Sequence, residues 1–434
     1  MSGSRRPGGS VRASATVVVF GSSGNLATTK VLPAIGSEMR AGRFQDSTVG
    51  VDRRFPRQEA PPWLTFVPGD LTRQRTYVRV AKALDGRAAL FYLATAPQLF
   101  PEIVRRLKKA GLNRPGCRIA VEKPFGVGLT SSRLLERGLG SAFPQKRIFR
   151  VDHFLCKDGA IALAHFRFAY RGLEPLWNNG FVDSVQIMAD ENSGVGERGE
   201  FYESVGVARD MVQNHLLQLL CLVAMDPPGS SDARARGSAK AKLLESIAPI
   251  HPDDVVWGQY RGYEKVPGVR KGSRTPTFVA LKLQVGSRRW KGVPFYVRSG
   301  RLLARDATDV VVKFKGGMAG GSKGQRRPLS VRFNVDPEAR TTLTWGRSEQ
   351  VWKDPQLPGE RRSEYQKVLE EVMRGDQRRF VDGRFNELSW KLFDPLIQGQ
   401  GRPERYRAGG WGPASSDLLL ARDGRSWLDS RGGA

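Results

Sequence analysis

His215 is the residue whose type and position most strongly suggest chemistry. It lies in the segment Val207–Leu220, which contains no glycine or proline and several leucines, so the segment is predicted to be a helix. At about 100° per residue, His215 shares one arc of this helix with Met211 and Leu219, and we expect its imidazole to face the protein interior. Two interpretations remain open. The ring is either a structural histidine satisfied in a core, or a general base in a partly dry cleft, where its ordinary pKa of about 6.5 can be tuned.

Further chemical groups follow short apolar segments that are typical of buried strands. Lys123 follows the segment Arg118–Val121, and Asp152 and His153 follow Arg147–Val151. The carboxyl ends of parallel strands form the ligand edge of a sheet, so we expect these side chains at that edge. A surface lysine and a loop-capping aspartate remain as structural alternatives for Lys123 and Asp152.

A glycine-rich turn near the N-terminus predicts a dinucleotide site. It follows the β-branched strand Thr16–Phe20 and precedes a predicted helix, Lys30–Met39. Glycines let a backbone approach a pyrophosphate, and a helix N-terminus supplies N–H donors. The residues expected to contact the cofactor are Gly21, Ser22, Ser23, Gly24, Asn25 and Leu26.

The cofactor preference depends on residues after the second predicted strand, Thr48–Val51. Asp52 at that position favours the ribose of NAD, whereas Arg53 and Arg54 favour the 2′-phosphate of NADP. Two guanidiniums that can each bind a phosphate through two hydrogen bonds favour NADP, and NAD remains open.

The order of predicted elements divides the chain into two domains and an arm. Strands alternate with helices as far as residue 152, which predicts an α/β Rossmann-like NADP-binding domain over residues 16–152. Runs of short strands follow, which predict an α+β domain with a large, mainly antiparallel sheet over residues 153–434. The basic, Gly/Ser-rich residues 1–15 are expected to form a flexible arm, and Gly316–Gly324 a loop.

The composition restricts the partners that the protein can have. The chain has 434 residues, of which 40% are hydrophobic, and a net charge of +27. Such a charge favours anionic partners, namely nucleic acid, acidic membranes or phosphorylated small molecules. Because the basic residues are spread along the chain, a well-solvated surface explains the charge at least as well as a nucleic-acid-binding stripe.

The cysteines and the apolar segments indicate a compartment. The three cysteines form no CxxC pair, which argues for a reducing compartment and against a disulfide framework or a zinc site. No window approaches 18 uninterrupted apolar residues, and the N-terminal apolar run is too short for a signal peptide. We therefore expect a cytoplasmic protein without a membrane partner.

Blocks of sequence in a fixed order carry a resemblance to the glucose-6-phosphate dehydrogenase family over nearly the whole chain. These blocks are Phe20–Ala27, Glu122–Gly126, Arg150–Lys157, Glu174–Asn178, Arg209–Leu220, Gly258–Tyr260, Gly292–Gly300 and Val372–Gln377. The resemblance implies NADP-dependent oxidation of D-glucose 6-phosphate at C1 to 6-phospho-D-glucono-1,5-lactone, the first step of the oxidative pentose phosphate pathway. It also implies a homodimer or homotetramer, and nucleic acid is not the expected partner despite the high positive charge.

The resemblance also implies a role for each candidate residue. His215 would take the proton of the C1 hydroxyl, and Asp152 would orient and stabilise the imidazolium. Lys123 would contact both substrate and cofactor, with Pro124 in the cis form. His153 and Lys157 would bind the sugar phosphate, and Glu191 and Asp210 would bind sugar hydroxyls. Arg301 stands at the position of a phosphate-binding lysine. Arg53 would bind the 2′-phosphate of NADP.

Three of the departures from the family pattern concern the expected substrate-binding residues. Phe154 stands in place of a tyrosine, and a lost hydrogen bond to a charged group costs about 1.5–3 kcal/mol. Cys156 replaces a glycine, which would be strained if the position required a positive φ. Asp306 replaces an arginine, and the adjacent Arg305 is a candidate substitute. These departures keep open a catalytically weakened NADP-binding relative with a regulatory role, and a nucleic-acid-binding protein on the same scaffold ranks third.

Overall fold

The computed structural model describes residues 15–44, 48–54, 60–316, 329–346, 348–354 and 362–429. The predicted arm lies outside these residues except for Ala15, and the predicted loop Gly316–Gly324 lies outside them except for Gly316. The described residues form two compact units. The first unit comprises those within Met1–Gly126, Thr130–His153 and Arg361–Val381, and the second those within Val127–Leu129, Phe154–Glu360 and Asp382–Ala434.

The first unit is built on a six-stranded parallel sheet. In chain order its strands are β1 (Thr16–Phe20), β2 (Thr48–Asp52), β3 (Leu64–Pro68), β4 (Ala89–Leu93), β5 (Arg118–Glu122) and β6 (Ile148–Val151). Their order in the sheet is β3-β2-β1-β4-β5-β6. Every residue of β1, β4 and β6 is buried, as expected for parallel strands that are covered on both faces.

Helices follow the strands of this sheet, and one of them comes from late in the chain. The helices are Leu32–Arg40, which continues the π-helical turn Ala27–Val31, and Gln74–Leu84, Phe100–Lys109, Leu129–Ala142 and Glu364–Arg374. A capping box between Ser363 and Gln366 begins the last of these. The Gln366 amide also donates to Ser37 and Glu38, both at 3.0 Å. Residues 362–381 therefore belong to the first compact unit, although the predicted boundary assigns them to the C-terminal domain.

The second unit is built on a nine-stranded mixed sheet. In chain order its strands are β7 (Val182–Asp190), β8 (Val255–Tyr260), β9 (Phe278–Gln284), β10 (Pro294–Gly300), β11 (Ala307–Phe314), β12 (Leu329–Asp336), β13 (Arg340–Trp345), β14 (Ser348–Trp352) and β15 (Glu404–Tyr406). Their order in the sheet is β14-β13-β12-β11-β7-β10-β9-β8-β15. Only the β7–β10 and β8–β15 pairs of this sheet are parallel. Both parts of the predicted fold class are confirmed.

The helices of the second unit include one that the sequence pattern concealed. They are Asp158–Ala169, Gly199–Val207, the π-helical Ala208–Leu216, Leu217–Ala224, Ala233–Glu245, Gly383–Gln398 and Ser415–Ala421. The residue types of Pro227–Arg236 are typical of a polar loop, but a helix begins at Ala233, and Asp232 caps it by accepting from the Ala235 N–H at 2.8 Å. No helix in the described part of the chain is long and apolar enough to cross a membrane.

Candidate active site

His215 lies in a helix that is buried on all sides. The residues from Asp210 to Met225 are all buried, and His215 is 1% exposed. The expected burial of the imidazole is confirmed, and the burial extends beyond the predicted arc to every face of this segment. The segment Ala208–Leu216 is π-helical, and the Leu217 N–H donates to the Val212 carbonyl five residues earlier.

The π-helical geometry changes which side chains lie next to each other. Asp210 and His215 are five residues apart, and five residues of an ordinary α-helix would place them about 140° apart around the axis. In a π-helix the hydrogen bonds join residues five apart, so these positions lie much closer together around the axis than they would in an α-helix. A carboxylate and an imidazole are thereby brought to one face of the segment.

Phe154 stacks on His215. The two rings are 4.1 Å apart between centroids, with 12° between their planes. The Lys157 ammonium lies 5.2 Å from the centroid of the Phe154 ring and forms a 2.7 Å ion pair with Asp336. The aromatic ring that replaces the family's tyrosine therefore fixes the orientation of the candidate base. The sequence around Phe154 did not indicate this contact, because it joins residues that are 61 positions apart along the chain.

Cys156 carries no backbone strain. It ends a short 3₁₀ helix, His153–Cys156, and it is not among the described residues with a positive φ. Its side chain is fully buried. The strain that the glycine replacement would cause at a left-handed position is therefore absent at this described residue.

Arg301 forms ion pairs with two other candidate residues. Its guanidinium pairs with Asp210 at 2.8 Å and with Glu191, and its side chain is 8% exposed. Burial alone would lower the pKa of Arg301, but Glu191, then Tyr202 and Asp210, raise it above its usual range. The Tyr406 hydroxyl donates to the Arg301 carbonyl at 2.6 Å, which fixes the backbone from which the guanidinium projects. The structure thus brings three of the predicted substrate-binding residues together.

Arg305 belongs to a different cluster. It pairs with Asp190 and with Asp309, both at 2.8 Å. Arg298, whose side chain is fully buried, pairs with Asp190 at 2.7 Å, and Arg332 pairs with Asp309 at 2.8 Å. The guanidinium of Arg305 is committed to these carboxylates, which argues against its substitution for the phosphate-binding arginine that Asp306 replaces.

The glycine-rich turn of the first unit fits a dinucleotide. Gly21 has a φ of +79°, and a Cβ at this position would lie 2.7 Å from the Ala94 carbonyl oxygen, so no side chain can stand there. The Ser23 N–H and hydroxyl both donate to one oxygen of Asp52, at 3.2 Å and 2.6 Å. The turn and the end of β2 are therefore joined into one surface whose backbone a pyrophosphate can approach.

The groups at the end of β2 favour NADP. The second oxygen of Asp52 accepts from the Arg53 N–H at 2.7 Å, so this carboxylate is already occupied by the turn and its own neighbour. The Arg53 side chain is 74% exposed, with one 3.3 Å ion pair to Asp70. A guanidinium in this position is suited to a 2′-phosphate.

The ends of β5 and β6 in the first unit carry a second group of candidates. The Lys123–Pro124 peptide is cis, as the family resemblance implies. Asp152 is 1% exposed. The His153 ring stacks on Tyr365, with 5.9 Å between centroids and 18° between planes. Tyr365 comes from the helix Glu364–Arg374, and no motif in the sequence indicated it.

Glu122 is a titratable group of this unit that sequence reasoning missed. Burial raises its pKa to about 7, against the opposing effects of a hydrogen bond from Tyr92 and the charge of Lys123, while Asp152 raises it further. Its position next to Lys123 at the end of β5 is the signal that could have identified it. Its carboxyl therefore keeps its proton to a higher pH than an exposed glutamate does.

The predicted site residues are divided between the two units. The first unit holds Gly21, Ser22, Ser23, Gly24, Asn25, Leu26, Arg53, Lys123, Asp152 and His153. The second unit holds Lys157, Glu191, Asp210, His215 and Arg301. The role of each residue in a reaction stays a prediction.

Two family models match this chain. The model described as the NAD binding domain of glucose-6-phosphate dehydrogenase matches residues 58–160, and the model of its C-terminal domain matches residues 164–428. The chain belongs to the glucose-6-phosphate dehydrogenase family. The family predicted from the ordered blocks is confirmed, as is the predicted class of oxidoreductase that uses NADP.

Individual relatives match most of the chain. Glucose-6-phosphate 1-dehydrogenase 1 of Mycobacterium tuberculosis (strain CDC 1551 / Oshkosh) is 36% identical over 84% of this chain and 80% of its own length. The crystal structure of glucose-6-phosphate 1-dehydrogenase from Mycobacterium avium is 31% identical and covers 96% of this chain and 99% of its own, with a TM-score of 0.85. A glucose-6-phosphate dehydrogenase in complex with its substrate glucose-6-phosphate is 26% identical over 96% of this chain and 99% of its own, with a TM-score of 0.84.

Proposed function

We propose that the protein oxidises D-glucose 6-phosphate at C1 to 6-phospho-D-glucono-1,5-lactone, with NADP as the hydride acceptor. Relatives named for this activity match most of the chain, and a similar solved structure is a glucose-6-phosphate dehydrogenase bound to glucose-6-phosphate. The observation that carries the proposal for this chain is the π-helical segment that brings Asp210 and His215 to one face. Oxidation of a sugar hydroxyl requires a base that takes its proton and a group that binds and orients the sugar through its hydroxyls.

His215 is the proposed general base. Its imidazole accepts the proton of the C1 hydroxyl as the hydride leaves C1, and Asp152 is the proposed carboxylate that orients and stabilises the imidazolium. The residues of the glycine-rich turn and, at the 2′-phosphate, Arg53 would hold NADP, which would supply the hydride acceptor when bound. The stack of Phe154 on His215 keeps the base in one orientation, which reduces the entropy lost on reaching the transition state.

The remaining proposed roles concern substrate binding. His153 and Lys157 bind the sugar phosphate, Glu191 and Asp210 accept from sugar hydroxyls, and Lys123 contacts both substrate and cofactor. Arg301 neutralises the two carboxylates and holds them in place. The ammonium of Lys157 exchanges Asp336 for the phosphate, and the pair it leaves is partly exposed and worth no more than about 1 kcal/mol.

Initial rates of NADPH or NADH formation by the wild-type protein test this proposal. Rates are measured with glucose 6-phosphate and with glucose, and with NADP and NAD at matched concentrations. We expect turnover with glucose 6-phosphate, little with glucose, and a higher kcat/KM with NADP than with NAD. A folded protein that forms no reduced cofactor from glucose 6-phosphate would contradict the proposal.

We also propose that the protein works in the cytoplasm as a homodimer or homotetramer. Its three cysteines, Cys117, Cys156 and Cys221, are buried and form no disulfide, which is in keeping with a reducing compartment. Sedimentation velocity at several protein concentrations measures the oligomeric state. A monomer at micromolar concentration would contradict this part of the proposal.

A further inference from the structure

The second unit contains a cavity lined by none of the predicted site residues. Its volume is about 1250 Å³, above the range of roughly 300–1,000 Å³ that is usual for small-molecule sites. The charged side chains of its wall are Arg167, Glu174, Asp226, Lys242, Arg288 and Arg289. The cations outnumber the carboxylates by two, so the wall favours an anion with about two negative charges.

Ion pairs connect most of these charges into one chain. Glu174 lies between Arg167, at 3.1 Å, and Arg289. Asp226 lies between Arg289 and Lys242, both at 3.1 Å. The side chain of Lys242 is nonetheless 79% exposed. Its ammonium can therefore turn to a ligand at little cost.

Arg288 supplies a further cation. Its residue is exposed, and it makes no hydrogen bond or ion pair within the described part of the chain. A guanidinium of this kind is suited to bind a phosphate through two parallel hydrogen bonds. Phe168, Pro227 and Pro228 add apolar wall, against which the organic part of a phosphate ester can pack.

Arg167 connects this cavity to the helix that carries His215. Its side chain is 1% exposed, and it donates to the carbonyls of Val223 and, at 3.4 Å, Leu222. Burial lowers the pKa of Arg167 to about 10, so a nearby anion would stabilise its charge. The helix Leu217–Ala224 continues the π-helical segment directly, and Ala224 lines the cavity. His215 lies nine residues earlier, about 14 Å along the helix axis.

We propose that this cavity binds a phosphate monoester of nucleotide size, and that binding stabilises the C-terminal end of the helix that carries His215. The phosphate is held by Arg288 and Lys242. Its charge acts on Arg167 through the ion pairs of Asp226, Arg289 and Glu174. Any effect on glucose 6-phosphate oxidation rests on the proposed function, whereas binding and helix stabilisation do not.

Calorimetric titration of the NADP-loaded protein with AMP tests the binding site. NADP fills the glycine-rich turn, so binding of AMP there is suppressed. The double variant Lys242→Ser, Arg288→Ser removes two cations of the cavity wall. The matched control Lys271→Ser, Arg402→Ser removes two exposed cations that do not line the cavity. We expect the Kd for AMP to rise at least about tenfold in the cavity variant and to stay unchanged in the control.

Three results would overturn the binding site. They are no heat of binding with wild-type protein, equal Kd values for the cavity and control variants, and adenosine binding as tightly as AMP. All substituted residues are exposed or partly exposed, so circular dichroism should report the same fold in each variant. Retained binding in the control and loss in the cavity variant support the site.

Hydrogen exchange tests the connection to the helix. AMP is expected to slow amide exchange in Leu217–Ala224 in the wild-type and control proteins and to leave it unchanged in the cavity variant. Unchanged exchange in AMP-saturated wild-type protein would overturn the connection. A protein that shows the exchange response but does not oxidise glucose 6-phosphate would refute the proposed function and leave this inference standing.

Discussion

Two neighbouring arginine clusters in the second unit have opposite characters. Arg301 pairs with Glu191 and Asp210, whose side chains are 25% and 11% exposed. Arg298 pairs with Asp190, and both side chains are fully buried. The adjacent residues Asp190 and Glu191 therefore serve separate purposes: the first completes a closed ion network, and the second contributes to a group that a ligand can reach.

The physical difference between the clusters is the exposure of their carboxylates, which is zero for Asp190 but 25% for Glu191 and 11% for Asp210. A fully buried charge depends on its partner, because removal of one partner leaves the other uncompensated in a medium of low dielectric. A partly exposed carboxylate keeps its charge when its partner turns away. We therefore expect the Asp190 cluster to govern stability and the Asp210 cluster to govern activity.

The largest expected effect on the free energy of unfolding is that of Asp190→Asn. This change removes the negative charge that pairs with Arg298 and Arg305. Because the Arg298 guanidinium is buried, the free energy of unfolding should fall by about 3–5 kcal/mol. Urea unfolding measures this loss. A loss below about 1 kcal/mol would show that the network does not hold the sheet together.

Asp210→Asn should show the reverse behaviour. The neutral amide still accepts a hydrogen bond from Arg301 but binds a sugar hydroxyl more weakly, so kcat/KM should fall about 10–150-fold, equivalent to about 1.5–3 kcal/mol. Because Glu191 still pairs with Arg301, the urea midpoint should fall much less than that of Asp190→Asn. An unfolding loss as large as that of Asp190→Asn, with unchanged kcat/KM, would erase the distinction between the clusters.

Substitutions of Phe154, in the same unit, should have a smaller effect on activity. Phe154→Leu removes the stack on His215 and should lower kcat about 2–12-fold, the equivalent of about 0.5–1.5 kcal/mol. Phe154→Tyr keeps the ring, so kcat should stay near the wild-type value while the KM for glucose 6-phosphate falls. Steady-state kinetics of both variants separate the two effects, and an equal kcat for Leu and Phe at this position would refute a positioning role.

Glu122 provides the corresponding comparison within the first unit. Its pKa is raised to about 7 by burial, from an ordinary value of 4.5, so its contribution to stability is fully present below about pH 4.5 and is lost as the pH rises through 7. Glu122→Gln should therefore flatten the decline in unfolding free energy between pH 5 and about 8. Denaturant unfolding at several pH values gives both slopes, and parallel slopes for the two proteins would contradict the assigned pKa.

The elements that could be predicted from the sequence are those with a local signal. β1 and the glycine-rich turn combine β-branched residues with glycines whose backbone demands are local, and both were predicted within one or two residues. The strand β15 has only three residues, too few to show a period, and the helix Ala233–Glu245 is too polar to show an apolar face. Neither was predicted.

The candidate site shows the same limit. The family blocks identified the candidate site residues, because a match of blocks needs only the order of residues along the chain. The stack of Phe154 on His215, the pairing of Arg301 with Asp210 and the diversion of Arg305 to Asp190 depend on packing between distant segments. The π-helical turns were also missed, since composition does not distinguish them from an α-helix.

The most direct test of the central claim compares two histidine variants. His215→Asn removes the proposed base, whereas His251→Asn removes a histidine whose side chain is 68% exposed and forms an ion pair with Asp253. Initial rates of NADPH formation from glucose 6-phosphate should fall at least about 100-fold for His215→Asn, as expected for the loss of a general base, and stay near the wild-type rate for His251→Asn. A His215→Asn protein that is folded, binds glucose 6-phosphate and turns over at the wild-type rate would contradict the account.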